Sequence, residues 1–296
     1  MNTSVVEFVR GASTEISTHD ENLLPTLTDK LPAGMGIYVA HTPKASLDDV
    51  VRVAVKAQTL GFRASPHIAA RRLPSEEALR NALHRLTDAG VYQVLLVAGD
   101  LERPVGPFAS TLEVIDTGLL ETAGVRRAGV AGHPEGHNSI PQETLLAALR
   151  QKQAFAARSG LNVHIVTQFG FNPEAVCAWD RRLTEEGITL PVHVGIAGPT
   201  PLPKLIKFAM QCGVGASMHS FMKNMGAMAN LARLATTPDE MLLALIRGRA
   251  AYTGSRLVQP HFYSFGGVMA TATWLRAVAD GSFTVHPDGR KFVVNE

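Results

Sequence analysis

Val94-Leu95-Leu96-Val97-Ala98-Gly99-Asp100 is an apolar run that stops on a glycine and a carboxylate. Its shortness and its Val and Leu content read as a strand buried on both faces, the kind found in parallel sheets. In parallel α/β folds the carboxyl ends of the strands form the ligand-binding face. Asp100 is therefore a candidate for chemistry, set against the plainer reading that an Asp after a strand caps the following turn.

The same pattern recurs on both sides of this run. Strands are expected at residues 13–17, 36–41 and 63–68 before it, and at 128–133, 163–168, 192–197 and 261–265 after it. Helical periodicity falls between them, at 22–31, 46–60, 75–90, 142–159, 173–186, 202–211 and 268–279. Ser46 is a plausible N-cap with Asp48 and Asp49 in the first turn, and Gly160 and Gly187 close two later helices. Between Gly213 and Gln259 the chain reads as Met- and Ala-rich helical segments, Pro238-Asp239-Glu240 opening one, with no strand. Eight strands alternating with helices predict one (β/α)8 TIM barrel over residues 1–296, with extra helices before the last strand. A doubly wound open sheet would need a Gly-rich phosphate turn after its first strand, and none is present.

Composition narrows the class. With 296 residues and 46% hydrophobic content the chain can bury a large core, and a net charge of +2 with interspersed signs offers neither a nucleic-acid groove nor a membrane patch. Cys177 and Cys212 are the two cysteines, both expected as free, buried thiols in a reducing compartment. No run is long enough to span a bilayer, and the N-terminal segment lacks a signal-peptide pattern, so a cytoplasmic protein is expected. Homo-oligomer formation is left open.

Polar residues gather at the expected strand ends: Glu15, His41, His67, Asp100, His133 with His137, Gln168 and Tyr263. A lone His or Asp at such a place is usually structural, but barrel strands bring these ends together into one site. Two chemistries suit it. Metal-assisted hydrolysis could use the His and carboxylate set, although no His-x-His occurs on the first strand, and the His133/His137 spacing, on a Pro-Gly loop, does not place both rings on one face. Redox or one-carbon chemistry on a planar heterocycle needs an acid (Glu15), hydrogen-bonding groups (Asp100, Gln168) and an apolar slot (Phe169, Phe171).

Six short blocks, in order, resemble the methylenetetrahydrofolate reductase family: Thr14-Glu15-Ile16, Ala64-Ser65-Pro66-His67-Ile68, Ala98-Gly99-Asp100, Gly132-His133-Pro134-Glu135-Gly136-His137, Val166-Thr167-Gln168-Phe169-Gly170-Phe171 and His261-Phe262-Tyr263. The resemblance implies a (β/α)8 flavoprotein that interconverts 5,10-methylene- and 5-methyltetrahydrofolate with NAD(P)H as redox partner. It implies Glu15 as the general acid that opens the imidazolidine ring, with Asp100 as the second catalytic residue, beside the pterin. Gln168, Phe169, Phe171 and Tyr263 are expected to bind substrate, and His67, His133 and His137 to touch the cofactor. The chain departs from the family at Ala40, Ala98, His133, Phe155 and Ala156, where hydroxyl, aromatic or cationic groups hold the flavin, so weak FAD binding is expected. A metal-dependent barrel hydrolase and a non-catalytic folate-binding protein are the alternatives.

Overall fold

The computed structural model describes residues 2–212, 214 and 235–295. Eight parallel strands close into a barrel: β1 (Ser13–Ser17), β2 (Gly36–Ala40), β3 (Arg63–Ala69), β4 (Gln93–Val97), β5 (Arg127–Gly132), β6 (Asn162–Thr167), β7 (Val192–Ala197) and β10 (Leu257–Tyr263). Between β7 and β10 a two-residue strand, β8 (Thr200–Pro201), pairs with β9 (Ala235–Thr236). β10 docks between β7 and β1, which completes the circle through Ser13 opposite His261. The expected TIM barrel is the observed fold.

Each strand alternates, one side chain into the lumen and the next toward the helices. The outward residues, among them Ile37, Val39, Ala64, Val94, Leu96, Val130 and Val194, are buried in the main apolar core. Against them pack α3 (Leu47–Thr59), α4 (Glu76–Asp88), α7 (Gln142–Ser159) and α8 (Pro173–Glu185), each burying a single apolar stripe. The short α5 (Thr111–Asp116) and α6 (Leu119–Thr122) lie between β4 and β5, and α9 (Leu202–Gln211) follows β8. Side-chain caps fix where the long helices start: Ser46 Oγ accepts from Asp49 N at 3.1 Å, Ser75 Oγ from Ala78 N at 3.1 Å and Asn172 Oδ1 from Ala175 N at 3.0 Å. Among the described residues no helix is long and apolar enough to cross a membrane.

The lumen differs from the branched aliphatic layers usual in such barrels. Tyr38 on β2 reaches across to His164 on β6, hydroxyl to Nε2 at 2.9 Å, and accepts from Gln93 Nε2 on β4 at 3.0 Å. Ser13 Oγ lies 2.9 Å from His261 Nδ1, and the His164 and His193 rings sit 4.2 Å apart. Leu95 and Val166 are the buried aliphatic groups packed with Tyr38 there.

Several expectations need correction. The last barrel strand runs Leu257–Tyr263, not 261–265. Pro260 donates no N–H and reads as a strand breaker, yet it holds register opposite Val194. The chain then turns at Phe265, whose φ of 47° ends the strand. The stretch expected to be strand-free therefore contains β9 and the start of β10, while α10 (Asp239–Ala250) opens where Pro238 predicted; the rest of that stretch, apart from Val214, lies outside the described residues up to Ala235. The helix expected over 22–31 is a 3-10 segment, Thr18–Leu23, running into α2 (Leu24–Lys30). A helix α1 (Asn2–Arg10) buries Val5, Phe8 and Val9, and a hairpin of β11 (Phe283–Val285) and β12 (Phe292–Val294) follows α11 (Val268–Ala279). Both went unread in the sequence. Cys177 and Cys212 are free, but half-buried rather than buried.

Candidate active site at the barrel mouth

Glu15 is inward-facing near the carboxyl end of β1, opposite Tyr38 in register. Its carbonyl accepts from Ser264 Oγ at 2.6 Å, while Thr14 Oγ1 donates to Phe262 O at 3.1 Å, so the acid is pinned to the last strand from both sides. The side chain keeps 21% exposure at the mouth. Loss of water around the carboxyl nevertheless raises its pKa to about 8. Its Oε2 lies 3.5 Å from His67 Nε2, and burial, helped by nearby His41, lowers the His67 pKa to about 3. At neutral pH the pair is thus a protonated carboxyl beside a neutral imidazole. That is a proton donor in waiting, not an ion pair.

An aromatic wall stands beside the acid. Tyr263 donates to Thr167 O at 2.9 Å, and its ring packs 5.4 Å from Phe169 and 6.0 Å from Phe265. Phe169 is fully buried and backs the wall; Phe171, 5.8 Å from it edge-on, is the partly exposed member. Phe265 stacks on Phe208 at 4.8 Å. Sequence reading missed Phe265, because the strained conformation that aims it inward leaves no motif. The wall thus brings Phe169 and Phe171 together with Tyr263 and Phe265.

Gln168 Oε1 accepts from Phe169 N at 3.1 Å within its own turn. The loop after β6 is clamped by a residue that sequence reading quoted without a role. Glu135 Oε1 accepts from both Phe171 N and Asn172 N at 2.8 Å. A Cβ built on Gly170 would overlap that oxygen, so the glycine is what lets the carboxylate in. His133 and His137 are brought together, rings 5.2 Å apart and edge-to-face. The turn at Gly136, with φ of 84°, folds the loop back and brings the rings into contact without stacking them. Burial, then His137 and Lys152, lower the His133 pKa to about 4.

Asp100 sits on the rim, near His41 and paired with Arg72. β4 ends at Val97, Gly99 turns the chain with φ of 93°, and the Asp100 carboxylate, 56% exposed, accepts from Arg72 at 2.7 and 3.0 Å. Among the described residues no group of three or more His, Cys, Asp or Glu is placed to hold a metal ion.

A family model described as methylenetetrahydrofolate reductase matches residues 19–229, well over half of the chain. The chain belongs to the methylenetetrahydrofolate reductase family. Members of the methylenetetrahydrofolate reductase family are generally flavin-dependent folate enzymes. Among solved structures the chain is similar to a dihydropteroate synthase from Thermus thermophilus, at 14% identity over 89% of this chain and 92% of that one, with a TM-score of 0.47. It is also similar to a triosephosphate isomerase from Bartonella henselae, at 10% identity over 92% and 98%, with a TM-score of 0.46.

Proposed function

We propose that the protein interconverts 5,10-methylenetetrahydrofolate and 5-methyltetrahydrofolate, with a nicotinamide nucleotide as the redox partner. The observation that carries this reading is Glu15: a carboxyl that stays protonated at neutral pH, at the barrel mouth, beside an aromatic wall. Proton donation from Glu15 to N10 breaks the C–N10 bond of the imidazolidine ring and leaves an iminium between N5 and the one-carbon unit. Hydride from nicotinamide C4 adds to that carbon, giving the 5-methyl group and oxidised nucleotide. Glu15, left ionised, regains a proton from water at the mouth. In this reading Gln168 rotates from its own turn to the pterin edge, Asp100 serves the same ring, and Phe171 and Tyr263 face the heterocycle.

Around His67, His133 and His137 an FAD diphosphate would find one cation, the buried Lys152 beside His133, so weak FAD binding is proposed. A diphosphate needs cationic or fork-shaped donors. Arg71 is committed to Ala109 O and Leu101 O, and Arg72 to Asp100. The imidazoles of His67 and His133 are held neutral, and Ala98 stands where the family places an arginine. In this reading hydride would pass directly from nicotinamide to folate, both rings sharing the slot beside Glu15. Initial-rate kinetics should give intersecting double-reciprocal lines, and nicotinamide deuterated at C4 should deliver its label to the methyl group. Stoichiometric flavin with parallel lines would overturn the direct path. Tight folate binding without turnover would point to a binding protein, and activity that tracks bound zinc or manganese to a hydrolase.

A further inference from the structure

The lumen carries a second set of polar groups at the opposite end from Glu15. Arg63, Gln93 and Arg127 are the first residues of the three adjacent strands β3, β4 and β5. Gln93 faces inward, because it donates to Tyr38 across the barrel. Arg127 shares its side of β5 with Gly129, whose Cβ would meet His164 Nε2 at 3.1 Å inside the lumen. Arg63 is placed over the floor: its Nη2 lies 3.4 Å from where a Gly36 Cβ would stand, and that Cβ would also crowd Ser13.

These two guanidiniums lack what half-buried arginines ordinarily have. Among the described residues neither meets a carboxylate in an ion pair, and both Nε–H groups are buried without an acceptor. Burial and the Arg127 charge both push the Arg63 pKa down, so the cations feel each other with no anion between. Above them the neutral Tyr38–His164 pair makes a ceiling that adds hydrogen-bonding capacity but no negative charge. Charges left unpaired in such a place are costly, and planar forks are the geometry that grips a tetrahedral oxyanion by paired N–H···O bonds.

We propose that the floor of the barrel is an anion site, in which Arg63 and Arg127, with Gln93 between them, bind an inorganic oxyanion of the phosphate or sulfate class. The site faces the amino ends of the strands and is separate from the folate chemistry at the mouth, so it stands or falls independently of the function proposed above.

The test uses inorganic phosphate and sulfate on the full chain, with chloride as the control at equal ionic strength. Phosphate at about ten times its dissociation constant should raise Tm by about 2 to 5 °C in a saturable way. Arg63→Gln and Arg127→Gln should each flatten that response while leaving folate affinity at the mouth within two-fold. Should either variant fail to fold, 31P line broadening on the wild-type protein, reversed by sulfate, keeps the question answerable. A wild-type response no larger than that to chloride, a response that survives both substitutions, or phosphate resonances that stay sharp would overturn the site.

Discussion

At the scale of single residues, a general acid is useful only while it holds its proton, and Glu15 holds it through neutrality because its surroundings, not a partner, set its pKa. Glu15→Gln keeps the shape and a hydrogen-bond donor but cannot release a proton. Turnover of 5,10-methylenetetrahydrofolate should fall by about 10²- to 10⁴-fold, with folate affinity changed only a few-fold. Steady-state kinetics beside a binding titration checks this, and near-normal turnover would remove Glu15 from the mechanism. Asp100 calls for a different comparison. Asp100→Asn loses an exposed pair with Arg72 worth about 0 to 1 kcal/mol. If the residue also holds the pterin, folate binding should weaken by roughly 1 to 3 kcal/mol, as for Gln168→Leu. Calorimetric titration of both variants, with Tm as the stability reference, separates the two contributions.

At the scale of elements, the loop after β6 is the most exposed to disruption. One oxygen of Glu135 serves two backbone N–H groups, and Gly170 makes room for it. Gly170→Ala should therefore cost about 1 to 3 kcal/mol by overpacking and raise KM for folate, because the loop carries Phe169 and Phe171. Thermal unfolding and substrate saturation curves give the two readouts; an unchanged KM would confine the loop to a structural role. This loop also marks how far the sequence can be read. Capped helices and Gly stops were visible because their signals are local, as at Ser46 and Gly160. Glu15, His67 and Tyr263 were readable because each lies at a strand end. The polar lumen was not: Val163-His164-Ile165-Val166 and Val192-His193-Val194 read as buried strands, and only register across the barrel reveals that both histidines face inward, His164 to Tyr38 and His193 to His164. The last strand was misplaced because pairing with Val194 holds Pro260 in register although it lacks an N–H, and because Phe265 leaves the strand through a positive φ that its sequence does not announce.

At the scale of the whole molecule, this lumen governs how stability depends on pH. Burial lowers the pKa values of His67, His164 and His261 to about 3 and that of His133 to about 4, while the unfolded side chains titrate near 6.5. Between those values the unfolded chain binds more protons than the folded one, so stability falls as pH drops below 6.5, by up to about 1.4 kcal/mol per unit for each ring. Glu15 acts in the opposite sense. Its folded pKa is raised from 4.5 to about 8, so across that window the unfolded chain binds fewer protons and stability falls as pH rises. Urea midpoints should thus peak near pH 6 to 7, with the acid side steeper, and His164→Gln should soften the acid limb. A flat profile down to pH 5 would contradict the burial of these rings. The two tryptophans, finally, divide the molecule between them. Trp179 lies behind the barrel wall at the carboxyl end of β5, its ring 3.1 Å from where a Cβ on Gly132, the neighbour of His133, would stand, whereas Trp274 is packed between Phe262 and Phe292. Intrinsic fluorescence therefore comes with its own reference: ligand at the mouth should quench Trp179 and spare Trp274, so that Trp179→Phe abolishes the optical signal of binding and Trp274→Phe leaves it intact.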